Sequence, residues 1–326
     1  MKKNLYVSFL LLLAIFSVWS FKRQKKEQKN IPIEKIEITE AEPEEEKPEE
    51  IKEEETPKEE VKEEPEWITY PKIREVNNLG VVLSDIESHM PAGHHFVDPD
   101  KVTWAHETTH GINNDIRNSK GRGVNAFYVL NDKAAVIAEP RTTIRRVAST
   151  IPPVLRGFSY QLYLVQQAGD WNNEPLYLMD EWTAYANGAE CAIEINKDRV
   201  ASDLISSHNF NVYCLYLAKC IKEDCPDYDD KQFKAYLKWG IERVFDLSKN
   251  SGFLTSYRIE KQKVVIIHIH EKMKNKETKD HFFLTEADLN VESYLNKVRQ
   301  AREAEPLRTF MKEYFGEEWC KKTYGF

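Results

Sequence analysis

The 326 residues carry a formal net charge of -8, but residues 1–30 sum to +6, residues 31–66 to -12 and the rest to only -2. This near-neutral body lacks the strongly basic field on which nucleic-acid binding depends, so no nucleic-acid partner is expected. Cys191, Cys214, Cys220, Cys225 and Cys320 are too few and too irregularly spaced for a disulfide scaffold or a paired Cys-x2-Cys zinc site; they read as buried thiols, with a Cys220–Cys225 bridge as the alternative.

After a short basic start, residues 5–21 form an apolar run of 17, LYVSFLLLLAIFSVWSF. That is long for a signal-peptide core and just short of the roughly 20 residues of a comfortable span. Residues 1–21 are therefore expected to be a signal peptide or membrane anchor, making a membrane one partner. The body is expected outside the cytoplasm, or secreted if the segment is cleaved. Lys22, Arg23, Lys25 and Lys26 oppose that orientation by the positive-inside tendency and leave it open. Residues 22–66, rich in Glu, Pro and Lys, bury too little apolar surface to offset chain entropy and are expected to be a disordered acidic spacer.

A folded domain is expected over 67–326, with an active-site part over about 67–200 and a helix-rich part over about 201–326. Gly80–Leu83 reads as a short strand and Met90–His95 as a loop carrying His94 and His95. Asp98 then suits an N-cap and Pro99 the first helical position. The helix predicted from Lys101 to Asn118 stops at Ser119-Lys120-Gly121.

That helix holds Trp104-Ala105-His106-Glu107-Thr108-Thr109-His110-Gly111. Residues four apart lie about 40° apart around the axis, so His106 and His110 share a face and can grip one cation. A Zn²⁺ held by neutral nitrogens stays Lewis acidic and activates water, and Glu107, beside the ligands, is placed to take the water's proton. The competing reading is a solvated helix with two chance histidines. Asn113, Asn114, Asp115 and Arg117, one to two turns on, suit either hydrogen bonds behind the ligands or the wet end of the helix.

Asn125–Leu130 and Ala134–Ala138 flank Asn131-Asp132-Lys133, a hairpin signal. Arg141, Arg145, Arg146 and Arg156 are either contacts for substrate anions or a solvated, ion-paired face. Ser159–Ala168 reads as a helix ended by Gly169-Asp170.

A zinc site needs a third protein ligand. The metzincin pattern requires Gly and His where this chain has Asn113 and Ile116. A second helix, beginning at Leu178-Met179-Asp180-Glu181, offers a carboxylate 71 residues after His110. Glu181-Trp182-Thr183-Ala184 resembles the Glu-x-x-Ala form at the third ligand of several gluzincin metallopeptidase families. With the first motif, the resemblance covers about 20 residues. It implies a zinc hydrolase with His106, His110 and Glu181 as ligands and Glu107 as general base. Thermolysin-like enzymes have an Asp one turn after the ligand Glu, where this chain has Tyr185, a departure from that family. Asp180, Glu174 and the His94-His95 loop remain alternatives for the ligand, whereas Glu190 is expected to face away. Tyr185 is either an oxyanion donor or a packed aromatic.

Helical spacing recurs over 208–222, 230–247 and 291–314, and Val264–His270 reads as a strand with His268 and His270 on one face, a lesser candidate for a second metal. The expected fold is α+β and zincin-like, mainly helical with a small antiparallel sheet or hairpin and a helical C-terminal lobe. The expected function is a membrane-associated or exported zinc metallopeptidase acting on a protein or peptide substrate. A non-catalytic cell-surface module on the same scaffold, or a zinc amidase for cell-wall peptides, are the alternatives.

Overall fold

The helix that carries His106 and His110 and the helix that carries Glu181 lie side by side. The computed structural model describes residues 64–157, 159–195, 200–251 and 290–326. The apolar run 5–21, the spacer as far as residue 63 and the expected strand 264–270, with His268 and His270, lie outside the described residues. The architecture is mainly helical with one three-stranded antiparallel sheet. Among the described residues, no helix is long and apolar enough to cross a membrane.

The sheet has the order β1-β3-β2, formed by β1 (Trp67–Thr69), β2 (Val124–Tyr128) and β3 (Lys133–Ala138). The hairpin forms where the sequence places it, pairing Phe127 with Ala135 and Tyr128 with Ala134. Leu130, Asn131 and Asp132 turn it at φ values of 73°, 54° and 60°. Left-handed backbone is uncommon outside glycine, and this turn is held from below: Asp132 Oδ1 meets His89 Nε2 at 2.6 Å and Asp85 Oδ2 accepts from Asn131 N at 3.2 Å.

Gly80–Leu83 is not a strand. Val81–His89 is a helix, α1. Three apolar residues in a row suit either structure, and the longer pattern decides: Val82, Leu83 and Ile86 are buried together against α2. Helix α1 also has a charged cap that a local reading cannot see. The Glu194 carboxylate accepts from the amides of Val81 and Val82, satisfying donors that a helix start leaves open. Gly80, at φ 101°, permits this approach, since a Cβ there would stand 2.7 Å from Glu194 Oε1.

The motif helix α2 runs from Lys101 to Lys120. Its N-cap is Asp100 and not Asp98: Asp100 accepts from Val102 N at 3.2 Å and Thr103 Oγ1 at 2.9 Å, while Asp98 Oδ1 accepts from Asp100 N at 2.7 Å. The first Asp thus turns the chain and the second caps it. The C-terminal stop is at Gly121 as expected, with φ 97°.

After α3 (Ile144–Thr150), the expected helix over Ser159–Ala168 is instead a π-helix, Gln161–Gln166, followed by short α4 (Ala168–Trp171), which runs through Gly169 and Asp170. The Gln167 N to Leu162 O bond of 2.9 Å spans five residues and widens the turn. Next come α5 (Tyr177–Glu194), α6 (Val200–Asp224) and α7 (Lys231–Asn250). Helix α6 is buried around much of its circumference from Leu204 to Ile221, with Ser206, His208, Asn209 and Asn211 buried among its apolar residues, as suits a helix surrounded by others. The expected helix over 291–314 divides into α8 (Val291–Gln300) and α9 (Glu305–Phe315), separated by extended Ala301 and a 3₁₀ turn. Pro306 explains the restart: it cannot donate within a helix but fits its first turn. Helix α10 (Glu317–Thr323) follows. One core runs from Val102 and Phe127 through α5, α6 and α7 to Tyr324, and a second lies between α1, α2 and the sheet. All five cysteines are buried free thiols, so Cys220 and Cys225 are not bridged.

Candidate metal centre

Helices α2 and α5 meet along small and polar residues. Asn187, fully buried on α5, donates to Thr109 Oγ1 at 3.1 Å and to Tyr128 O at 3.0 Å, tying both helices to β2. Its Oδ1 accepts from Arg243 of α7 at 2.8 Å, and the same guanidinium pairs with Glu190 at 2.7 Å. Glu190 therefore faces away from the imidazoles, as its helical angle requires.

Within this frame His106, His110 and Glu181 converge, with ligand atoms all within 4.8 Å of one another, so the trio can hold a metal ion. The two Nε2 atoms are 3.1 Å apart, and Glu181 Oε2 lies 3.5 Å from His106 Nε2 and 3.6 Å from His110 Nε2. An ion with tetrahedral bonds of about 2.0–2.2 Å holds its ligand atoms about 3.3–3.6 Å apart, so one cation fits all three. Glu181 Oε2 is buried and has no hydrogen-bond partner, a costly state for a carboxylate oxygen unless a cation meets it. The electrostatics agree. Burial disfavours charge on His110, but Asp180 and Glu181 outweigh it and raise the imidazole well above its ordinary pKa. Burial likewise disfavours charge on Glu181, yet His110 and His106 hold its carboxyl well below the usual range. The cluster favours a positive charge at its centre.

The groups behind these three side chains fix their aim. Asp180 Oδ2 lies 3.0 Å from His110 Nδ1, so the neutral ring carries its proton there and presents a bare Nε2 lone pair. Asn113 donates to Asp180 Oδ1 at 2.5 Å and accepts from Tyr128 N at 2.7 Å. The Tyr177 hydroxyl donates to Glu181 Oε1, leaving Oε2 for the imidazoles, and stands 2.9 Å from Gln167 Oε1. Tyr185 places its ring edge on His106, centroids 4.6 Å apart, and its hydroxyl meets that of Tyr163 at 2.7 Å. Glu107 is half-buried on α2 beside His106.

Comparison with protein-family models, curated proteins and solved structures finds no match to this chain.

The other sequence candidates fall elsewhere. Glu174 stands 3.7 Å from Arg117, and Asp115 accepts from Tyr70 at 2.8 Å. Arg141 pairs with Asp227, Arg146 with Glu223 and Asp224, and Arg156 lies over the Tyr160 ring, so those three serve the ion-paired, packed face. His95 is exposed, whereas His94 packs on Gly111 of the motif helix. Sequence reasoning weighed Asp180 only as a rival ligand and missed Tyr177 and Tyr163. Tyr177 was within reach of the periodicity, being one turn before Glu181 on the same face. Tyr163 carries no such signal, because the π-turn shifts the phase.

Proposed function

We propose that this chain is a zinc-dependent metallopeptidase of gluzincin type, associated with a membrane through residues 5–21 or exported. The observation that carries the reading is the buried, unpartnered Glu181 Oε2 facing the Nε2 atoms of both motif histidines. Two imidazoles and one carboxylate are the donor set of a catalytic zinc site that keeps a position open. Zinc bound there supplies Lewis acidity to a scissile carbonyl and to an attacking water.

The chain's own residues do the rest. Asp180 holds His110 in its ligating tautomer and Tyr177 holds Glu181 by its other oxygen. Glu107 accepts a proton from the water as its oxygen bonds to the carbonyl carbon, then delivers that proton to the amine nitrogen as the carbon–nitrogen bond breaks. Tyr185, its ring against His106 and its hydroxyl fixed by Tyr163, is the donor to the developing oxyanion.

The test is zinc content by mass spectrometry on the full chain, then digestion of a broad peptide library with and without chelator, for the wild type and Glu107→Gln. The expected result is chelator-sensitive cleavage with one zinc per chain, and a variant that keeps its zinc but loses about 10²–10⁴-fold in turnover. A protein that binds no zinc, or a Glu107→Gln variant of normal activity, overturns the proposal.

A further inference from the structure

Beside the metal cluster, the loop between α1 and α2 drives one side chain into the motif helix. A turn closed by His94 N and Pro91 O at 3.1 Å, with Gly93 at φ 87°, sets His94 over Gly111. A Cβ on Gly111 would stand 2.6 Å from His94 Nε2 and 2.7 Å from Cδ2 and Cε1, so the ring tip occupies a notch that only glycine leaves open. The Nε2 atom is buried there with no hydrogen-bond partner. A helix-interior glycine and an orphaned imidazole nitrogen are both unfavourable choices. Their meeting at one contact, one residue past a metal ligand, has the character of a functional compromise.

The position says which function. Around α2, Glu107 lies about 60° beyond His110 and Gly111 about 40° beyond Glu107, so the His94 ring flanks Glu107 on the side away from the ligands. The charged groups near enough to act on His94 are Glu87 of α1, His95 of its own loop, and Glu107 and His110 of α2. Glu87 is engaged elsewhere, accepting from Trp104 Nε1 at 2.6 Å and from Arg74 at 2.7 Å. Burial pushes the His94 imidazole below its ordinary pKa, against the pull of the two carboxylates.

We infer that His94 is a positioning residue for Glu107: its ring wedges between Gly111 and solvent, confines the Glu107 carboxylate to the ligand side of α2 and shields it from bulk water. The inference rests on the peptidase reading above, in which Glu107 moves the proton.

The test approaches the contact from both sides, in full-length, zinc-loaded protein and on a peptide selected from the library. His94→Ala removes the ring. Gly111→Ala evicts it, and the atoms that must give way are those of a side-chain tip and not of backbone. Each variant should lose about 10- to 100-fold in kcat with KM changed less than about twofold, and the double variant should lose no more than either alone. Zinc affinity and the cobalt(II) absorption spectrum should be unchanged in all three, and Gly111→Ala should stay folded, because the helix propensity of alanine offsets part of the packing lost with the ring. Wild-type kcat in His94→Ala overturns the inference, as does lost zinc affinity, which would make His94 a support of the ligands. Chelator-insensitive or absent cleavage by the wild type strikes the peptidase reading itself; a chelator-sensitive wild type beside a fully active His94→Ala strikes the role of His94 alone.

Discussion

Asp180 and Glu181, adjacent on α5, serve His110 from opposite sides: Asp180 Oδ2 is 3.0 Å from Nδ1 and Glu181 Oε2 is 3.6 Å from Nε2. Successive helical side chains diverge by about 100°, which lets neighbouring carboxylates reach the two nitrogens of one ring. Removing Asp180 leaves the ligand set complete but frees the ring and its tautomer. Asp180→Ala should therefore weaken zinc binding by about 10- to 100-fold while leaving the fold intact. Competition against a chelator of known affinity, with circular dichroism as the control, measures it; unchanged affinity would show that the carboxylate does not orient His110.

Much of this site was legible in the chain. The four-residue spacing of His106 and His110 and the stop at Gly121 are local properties, Glu181 followed from the resemblance of Glu181-Trp182-Thr183-Ala184 to a known form, and the three side chains do meet. The roles behind the ligands were not, because a helical angle separates Asp180 from Glu181 without saying which nitrogen each meets. Helix α1 was hidden for a related reason: its cap comes from Glu194, more than a hundred residues away, and Val81-Val82-Leu83 alone suits a strand equally well. The π-turn that delivers Tyr163 leaves no periodic trace at all.

Glu181 is the only carboxylate that faces both motif nitrogens among the described residues. Glu181→Ala should lower zinc affinity by more than the roughly 100-fold reached by losing an orienting partner. The variant should stay folded, since it also removes a buried oxygen that has no hydrogen-bond partner. Zinc per chain after dialysis is the readout, and full occupancy would remove Glu181 from the ligand set.

Tyr177 acts one atom further out. Its hydroxyl takes Glu181 Oε1, and its ring stacks on Trp171 at 4.7 Å, so its position does not depend on the hydroxyl. Tyr177→Phe keeps the stacking and releases Oε1. Zinc affinity should fall by about 10-fold with little change in melting temperature. Equal affinity in the two proteins would mean that the carboxylate is aimed by the imidazoles alone.

Glu139 links stability to pH at the foot of α5. Its Oε1 accepts from Leu176 N at 2.8 Å, immediately before the helix that carries Glu181. Burial is the main cause that pushes its carboxyl up to about 8, helped by Glu174 and opposed by the Leu176 amide and Arg117. An unfolded Glu titrates near 4.3, so between that pH and about 8 the native state holds a proton that the unfolded state has lost. Stability therefore falls as pH rises through this window, by on the order of 5 kcal/mol in all. Glu139→Gln keeps an acceptor for Leu176 without the ionisation. Its melting temperature should exceed that of wild type increasingly from pH 6 to about pH 8 and level off above, and a constant difference from pH 6 to pH 8 would show that Glu139 is already ionised in the folded protein.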